Sequence, residues 1–466
     1  MVHHKNTDLI YNLTCMILAI LFFIPVWAYS QNQSDSLNLK KKEERKEKKM
    51  KRAWGWIPFP SVLYNTDIGL QFGALVNIYN YKKNRPIFPD YYHKFYAEVS
   101  FTTKGGSIFQ VFYDSRHLIR NIRTTADLTY LTEQALDFYG FNGYKSVYHH
   151  AWEDDGDAAY VSRIFYRQER KFLRIAADFQ GKFFAPHLRW LAGLAFLQII
   201  TDSVNIERLN RGKKEERKLP DTSGLFNKYE AWNILKREEH DGGMNNYLKL
   251  GFVYDSRDNE PCPMKGIWSE AMFILSPGFI GDGDYSFLRL AINHMQYLTL
   301  VKEHLSLVYR VGYLGTIAGK APYYVLPYQI SSYALTTTID GIGGSQTVRG
   351  ILRNRVVGDG MAWMNAELRY KFWYFRFLGS DWYMAANVYG DAGMVVQERP
   401  VDLEEVPAVI DRSDYFSDGP EYPHITLGGG LHVAIDRNTV FTAEIGKAVN
   451  KQDGNIGVYV GIGWLF

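Results

Sequence analysis

The sequence predicts an all-β chain forming a transmembrane antiparallel β-barrel of about sixteen strands, and three observations carry that expectation. Residues 455–466 (NIGVYVGIGWLF) alternate strictly, with Val458, Val460, Ile462, Trp464 and Phe466 on one face of a strand and Gly457, Tyr459, Gly461 and Gly463 on the other. At the end of a soluble chain such a strand would be an unprotected edge; in a closed barrel it pairs with the first strand and turns one face to lipid. The composition agrees: 15% of residues are aromatic and 40 of 466 are glycine, and no internal run of about eighteen apolar residues is present to make a spanning helix. From about Asp67 onward the chain reads as successive period-two runs of roughly ten residues, divided by turn-rich or charged stretches.

At the N-terminus Lys5 precedes an apolar run at 13–27, and Ala28 and Ser30 are small residues spaced for signal-peptidase cleavage, so residues 1–30 are expected to be a signal peptide. Cys15 follows Asn12, Leu13 and Thr14, without the small residue that a lipoprotein signal needs. After export Cys262 alone remains, which excludes an internal disulfide. Residues 31–57 read as a charged periplasmic linker, since 40–52 pack nine Lys or Arg with three Glu into thirteen positions. A solvated tether is the plain reading, and docking to an acidic partner or phosphate-bearing lipid the sharper one. Fewer than thirty residues leave no room for a folded domain ahead of a barrel at 58–466.

Strands are expected to begin near residues 67, 92, 106, 122, 158, 171, 188, 246, 266, 285, 303, 361, 381, 424, 438 and 455. An even count returns both termini to the periplasm and puts the longest connections, near 200–245, 313–360 and 393–423, outside the cell. The connection at 133–157 resists this scheme. It should be a short periplasmic turn, and its length requires a folded-in plug or a misassigned strand.

Several function classes are set aside by the residues themselves. A net charge of +3 without a basic, aromatic-interleaved patch gives no reason to expect a nucleic-acid partner. Gly343-Gly344-Ser345-Gln346-Thr347 lacks the closing glycine of a nucleophile elbow and lies in a loop, so no catalytic residue is assigned. His149 and His150 with Glu153, Asp154, Asp155 and Asp157 could attract a divalent cation, but adjacent histidines do not easily turn to one metal, and neither metal nor cofactor is expected.

The connection near 313–360 carries Gly343-Gly344-Ser345-Gln346-Thr347-Val348-Arg349-Gly350, then Gly358-Asp359-Gly360 and a strand holding Asn365, Glu367 and Arg369 on one face opposite Met364, Ala366 and Leu368. A charged face must line the lumen. The next strand carries Tyr389-Gly390-Asp391-Ala392-Gly393, with Asn387, Tyr389 and Asp391 again facing inward. These motifs resemble the BamA/TamA superfamily of outer-membrane barrels, also called the bacterial surface antigen family. The resemblance implies a sixth extracellular loop folded into the lumen, with Val348, Arg349 and Gly350 at its tip and Arg349 locked against Glu367 and Asp391. A guanidinium suits such a lock, since it keeps its charge and offers five donors in a planar fork. The family's further signatures are matched by Tyr254, Asp255, Arg257 and Asp258 followed by Pro263, Lys265 and Gly266, by Tyr389 and Gly393, and more weakly by Pro60-Ser61-Val62-Leu63-Tyr64-Asn65. The resemblance spans about 58–466. Ile351 departs from it, standing where an aromatic usually follows the Arg-Gly.

The resemblance further implies a component of outer-membrane protein insertion or translocation, embedded in outer-membrane lipid. The missing POTRA domains imply periplasmic or outer-membrane subunits that supply their function. An outer-membrane pore or surface receptor without assembly activity is the alternative. Gly69, Gln71, Gly73 and Asn77 on the lumen face of the expected first strand, with Gly457, Gly461 and Gly463 on the last, suggest a weakly paired closing seam, although glycines could equally make room for the inserted loop. Trp464 and Phe466 are the expected C-terminal recognition and closure signal.

Overall fold

The computed structural model describes residues 53–83, 91–281, 283–332, 340–377, 380–435 and 439–466. The expected signal peptide and residues 31–52 of the expected linker lie outside the described residues. Contacts divide the chain into two units, Met1–Trp54 with Tyr81–Pro89, and Gly55–Asn80 with Asp90–Phe466. In the first, the Tyr81 N–H donates to the Ala53 carbonyl at 2.7 Å. The second holds the barrel.

The strands are β1 (Trp54–Asn65), β2 (Gly69–Asn80), β3 (His93–Thr102), β4 (Ser107–Ile119), β5 (Ile122–Asp137), β6 (Arg167–Lys182), β7 (Leu188–Asp202), β8 (Gly242–Met244), β9 (Tyr247–Asp255), β10 (Gly266–Ser276), β11 (Phe287–Val301), β12 (Leu305–Gly319), β13 (Gly360–Phe377), β14 (Ser380–Gln397), β15 (His424–Ile435), β16 (Thr439–Ala448) and β17 (Ile456–Ile462). Each pairs antiparallel with its neighbour, β7 passes to β9, and the sheet closes through β1 and β17. Short β8 pairs with β7 alone, so sixteen of the seventeen strands make the wall. Period two is plain on β9, where Leu248, Leu250, Phe252 and Tyr254 are exposed to the outside while Tyr247, Lys249 and Val253 are buried. An outward apolar face and an inward polar one are what a lipid-embedded closed sheet needs.

The strand count agrees with the sequence expectation through two errors that cancel. The first strand is β1, not one starting near Asp67; Pro58 and Pro60 hid it by breaking the pattern of a paired strand. No strand starts at 158. Residues 138–166 fold instead into turns, with Asp157 N–H to Asp154 C=O at 3.0 Å, Tyr160 N–H to Asp157 C=O at 3.2 Å and Phe165 N–H to Ser162 C=O at 3.0 Å. With β1 in place, the connections 138–166, 203–246, 320–359 and 398–423 all emerge at one end of the barrel, which removes the anomaly at 133–157.

These four connections pack on one another. Helices α1 (Ile206–Asn210) and α2 (Leu225–Ala231) lie in the second of them. Phe138 meets Phe226 and Tyr229 edge-on at 5.5 and 5.4 Å, Trp232 meets Tyr415 at 5.0 Å, and Trp152 meets Phe165 at 4.9 Å. This aromatic cluster is continuous with buried Ile342, Val348 and Ile351 of the connection that enters the lumen.

The C-terminus departs from expectation. Regular pairing stops at Ile462, and Gly463 takes a left-handed φ of +98°, a conformation glycine adopts without strain. The chain then turns inward, so Trp464 and Phe466 leave the lipid face to which strict alternation assigned them. Trp464 stacks on His432 at 3.7 Å, and the Arg369 guanidinium lies 4.3 Å from its ring. Phe466 is buried, with Arg369 Nη2 donating to its terminal oxygen at 2.9 Å.

Candidate functional site

The tip of the 320–359 connection lies inside the barrel, where the side chain of Arg349 is fully buried. Its Nε and Nη2 donate to the two oxygens of Asp391 at 2.9 and 3.0 Å, a planar fork meeting a carboxylate, and its backbone N–H reaches the same side chain at 3.1 Å. Nη1 donates to Glu444 at 2.9 Å and stands 2.8 Å from Glu367 Oε1, an ionic contact out of line for a hydrogen bond. The guanidinium also lies 3.4 Å from the centroid of the Tyr389 ring. One cation thus ties together β13, β14 and β16.

The surrounding glycines are explained by space. A Cβ on Gly446 would stand 2.6 Å from the Arg349 carbonyl oxygen, and one on Gly428 would stand 2.3 Å from Cζ of Tyr389. Gly393 faces Ile342 and Val348 of the loop, 2.6 and 3.2 Å from where its Cβ would be. Gly350, at φ +98°, lies against the backbone of Gly446. Ile351 is buried and takes the place of the expected ring. Thr347 closes the tip, accepting the Gly343 N–H at 2.9 Å and donating to the Gly343 carbonyl at 3.0 Å.

The same loop reaches both sides of the closing seam. On the β17 side Gly350 N–H donates to Tyr459 Oη at 2.8 Å, and Leu352 N–H donates to the Asp453 carbonyl at 2.9 Å. On the other side Ser345 N–H donates to Asp67, in the β1–β2 turn, at 3.2 Å. Further along, Arg353 pairs with Glu133 of β5 at 2.6 Å and with Asp340, which Arg170 of β6 holds at 2.9 Å. The loop is therefore a strut between the first strands and the last.

The seam itself is slight. Among the described residues, β1 pairs with β17 at Tyr64↔Val460 and Asn65↔Tyr459, extended by Thr66 N–H to Val458 C=O at 3.1 Å. By contrast β13 and β14 pair from Gly360↔Gln397 to Phe377↔Ser380, interrupted by bulges at Gly360/Met361 and Lys371/Trp373. The glycines expected to weaken the seam from the N-terminal side, Gly69 and Gly73, lie on β2, so on that side the weakness comes from β1.

Other singled-out residues have local roles. Arg257 holds Asp255 through Nε and Nη2 at 2.9 and 3.1 Å, and Asp258 accepts the Met264 and Lys265 N–H groups at 3.0 and 3.2 Å. Gly266, at φ +110°, allows Ser256 to approach. This motif builds the β9–β10 turn, while Tyr254 faces outward. His149 and His150 turn to different partners, the Asp414 carbonyl and Tyr148 Oη, and among the described residues no group of three or more His, Cys, Asp or Glu is placed to hold a metal. Sequence reasoning missed Glu444, Tyr459, Asp67, Glu133 and Arg170. None of them carries a distinguishing mark in the sequence; Glu444, for one, is a single acid on a lumen face.

Taken together, the closed sheet and the buried arginine loop define a transmembrane β-barrel with an internal strut. An Omp85 superfamily domain model matches residues 198–463, more than half of the chain, and the protein belongs to the Omp85 superfamily. No curated protein matches it. Among solved structures it is similar to BamA from Haemophilus ducreyi lacking POTRA domains 1–3, at 13% identity and a TM-score of 0.50, covering 88% of this chain and 70% of that one. CdiB from Escherichia coli matches at 9% identity and a TM-score of 0.47, covering 88% of this chain and 62% of that one. At 13% identity the likeness to BamA concerns the fold.

Proposed function

We propose that the protein is a non-enzymatic component of outer-membrane protein insertion or translocation, acting through a seam between β1 and β17 that parts. The observation that carries this reading is the short β1–β17 pairing described above. Backbone groups of a parted seam must find partners in a medium without water, and an incoming strand supplies them. In this reading the loop end faces outside the cell, both termini are periplasmic, the first thirty residues direct export, and other subunits deliver clients. Trp464 and Phe466 would be recognised during the protein's own assembly, before the tail folds inward. An open pore is disfavoured physically, because the packed aromatic connections and the Arg349 loop occupy one end of the lumen.

The test is reconstitution. Liposomes holding the purified protein, with its natural subunits where these co-purify, should accelerate insertion of an unfolded outer-membrane protein. A disulfide between Tyr64→Cys and Val460→Cys, in a Cys262→Ser background, should abolish that acceleration and reduction should restore it. Directly opposed hydrogen-bonded residues stand about 5.5 Å apart, within disulfide reach. Undiminished insertion with the seam locked would refute the reading, and large stable conductance steps in planar bilayers would favour a pore.

A further inference from the structure

Thr66 N–H donates across the seam to Val458, and Tyr64 stands opposite Val460, two residues along from that pair. In an antiparallel pair, alternate residues send both backbone groups to the same neighbour. Even-numbered residues of β1 therefore aim their main chains at β17, and odd-numbered ones at β2. Pro58 and Pro60 are even. Each lacks an N–H, so the two positions that would continue the seam beyond Val62 each offer an acceptor and no donor. Continuing the observed register would set Pro60 opposite Trp464 and Pro58 opposite Phe466, the residues that turn into the lumen after Gly463.

We propose that Pro58 and Pro60 are a built-in stop that keeps the seam unzipped beyond Val62 and leaves the C-terminal tail inside the barrel. The tail has two berths. Along β1 it would gain at most half of the ladder hydrogen bonds, whereas in the lumen Arg369 binds its terminal oxygen, His432 stacks on Trp464, and Cys262 and Tyr383 pack with that ring. The prolines also remove two donors from a lipid-facing edge, where an unpaired N–H is costly. This inference deepens the proposed function and rests on its reading of a seam that parts.

The experiment uses the full chain in nanodiscs, comparing wild type with Pro58→Val/Pro60→Val and with each single substitution in case the double variant folds poorly. Restored donors should zip the seam. Amide exchange of Trp464 and Phe466 should slow at least tenfold, and Cys262, uncovered as Trp464 leaves, should react at least tenfold faster with a small polar maleimide; single variants should show partial shifts in both. Unchanged exchange and labelling would overturn the proposal, and so would faster labelling without amide protection, which means a detached tail that has not paired. Client insertion separates the two readings. A variant that zips yet inserts clients at the wild-type rate leaves the proline stop standing and removes the insertion function.

Discussion

The pairing of β13 with β14 and the pairing of β1 with β17 are both antiparallel ladders in one sheet, yet they are built to opposite ends. The first pairs along the length of both strands, with two bulges, and is crossed by Arg349, buried among three carboxylates. The second holds at Tyr64, Asn65 and Thr66, has two prolines further along β1, and loses its partner strand at Gly463. Stability concentrated on one side of a closed sheet lets the other side part without unfolding the whole. The loop strut refines that lesson, because it touches β17 through Tyr459 and the β1–β2 turn through Asp67.

The largest effect is expected from breaking the strong side. Arg349→Ala strands Asp391, Glu367 and Glu444 without their cation in a buried site, and removing one partner of a buried ionic cluster costs about 3–5 kcal/mol. Denaturant unfolding in detergent micelles should report that loss, with Arg349→Lys intermediate because the charge survives and the fork does not. A change below about 1 kcal/mol for Arg349→Ala would mean the cluster is not the anchor. Gly446→Val should come next, at about 1–3 kcal/mol by the same assay, since the new side chain meets the Arg349 carbonyl. Gly283, with open space around it, is the control position.

A smaller effect is expected at the strut's contact with the seam. Burial, reinforced by the charge of Asp137, pushes the Asp67 carboxyl up to about 6 from its ordinary 3.8. The folded protein thus binds this proton more tightly than the unfolded chain. Asp67 should add stability as pH falls from about 7 towards 4, and its ionised form should cost stability above about pH 6. The turn keeps some solvent contact, so the amplitude should be on the order of 1–2 kcal/mol. Asp67→Asn should flatten that part of the pH–stability profile; an unaltered slope would show that another group titrates there.

How far the sequence discloses this architecture depends on the kind of signal. The lumen faces of β13 and β14 were legible because alternation places Glu367, Arg369 and Asp391 inside, and the loop tip because its motif is short and local. Glu444 was not, since one acid on a lumen face has no mark that distinguishes it from its neighbours. β1 was hidden by the feature that gives it meaning, as Pro58 and Pro60 read as breakers until pairing shows them at a seam. Trp464 and Phe466 misled for a similar reason: alternation continues in the sequence after Gly463 has turned the chain. The 138–166 connection was divided wrongly because Asp154-Asp155-Gly156-Asp157 reads as a turn that precedes a strand, whereas the chain continues in turns to 166.

The contrast between the two ladders is tested most directly by amide exchange along β13, β14, β1 and β17 in nanodiscs at neutral pH, with fragments resolved over 360–377, 380–397, 55–66 and 456–462. Amides of β13 and β14 should persist for hours. Those of Tyr64, Thr66 and Val460 should exchange at least a hundredfold faster while the barrel stays folded. Protection of the seam equal to that of the β13–β14 ladder would contradict the account.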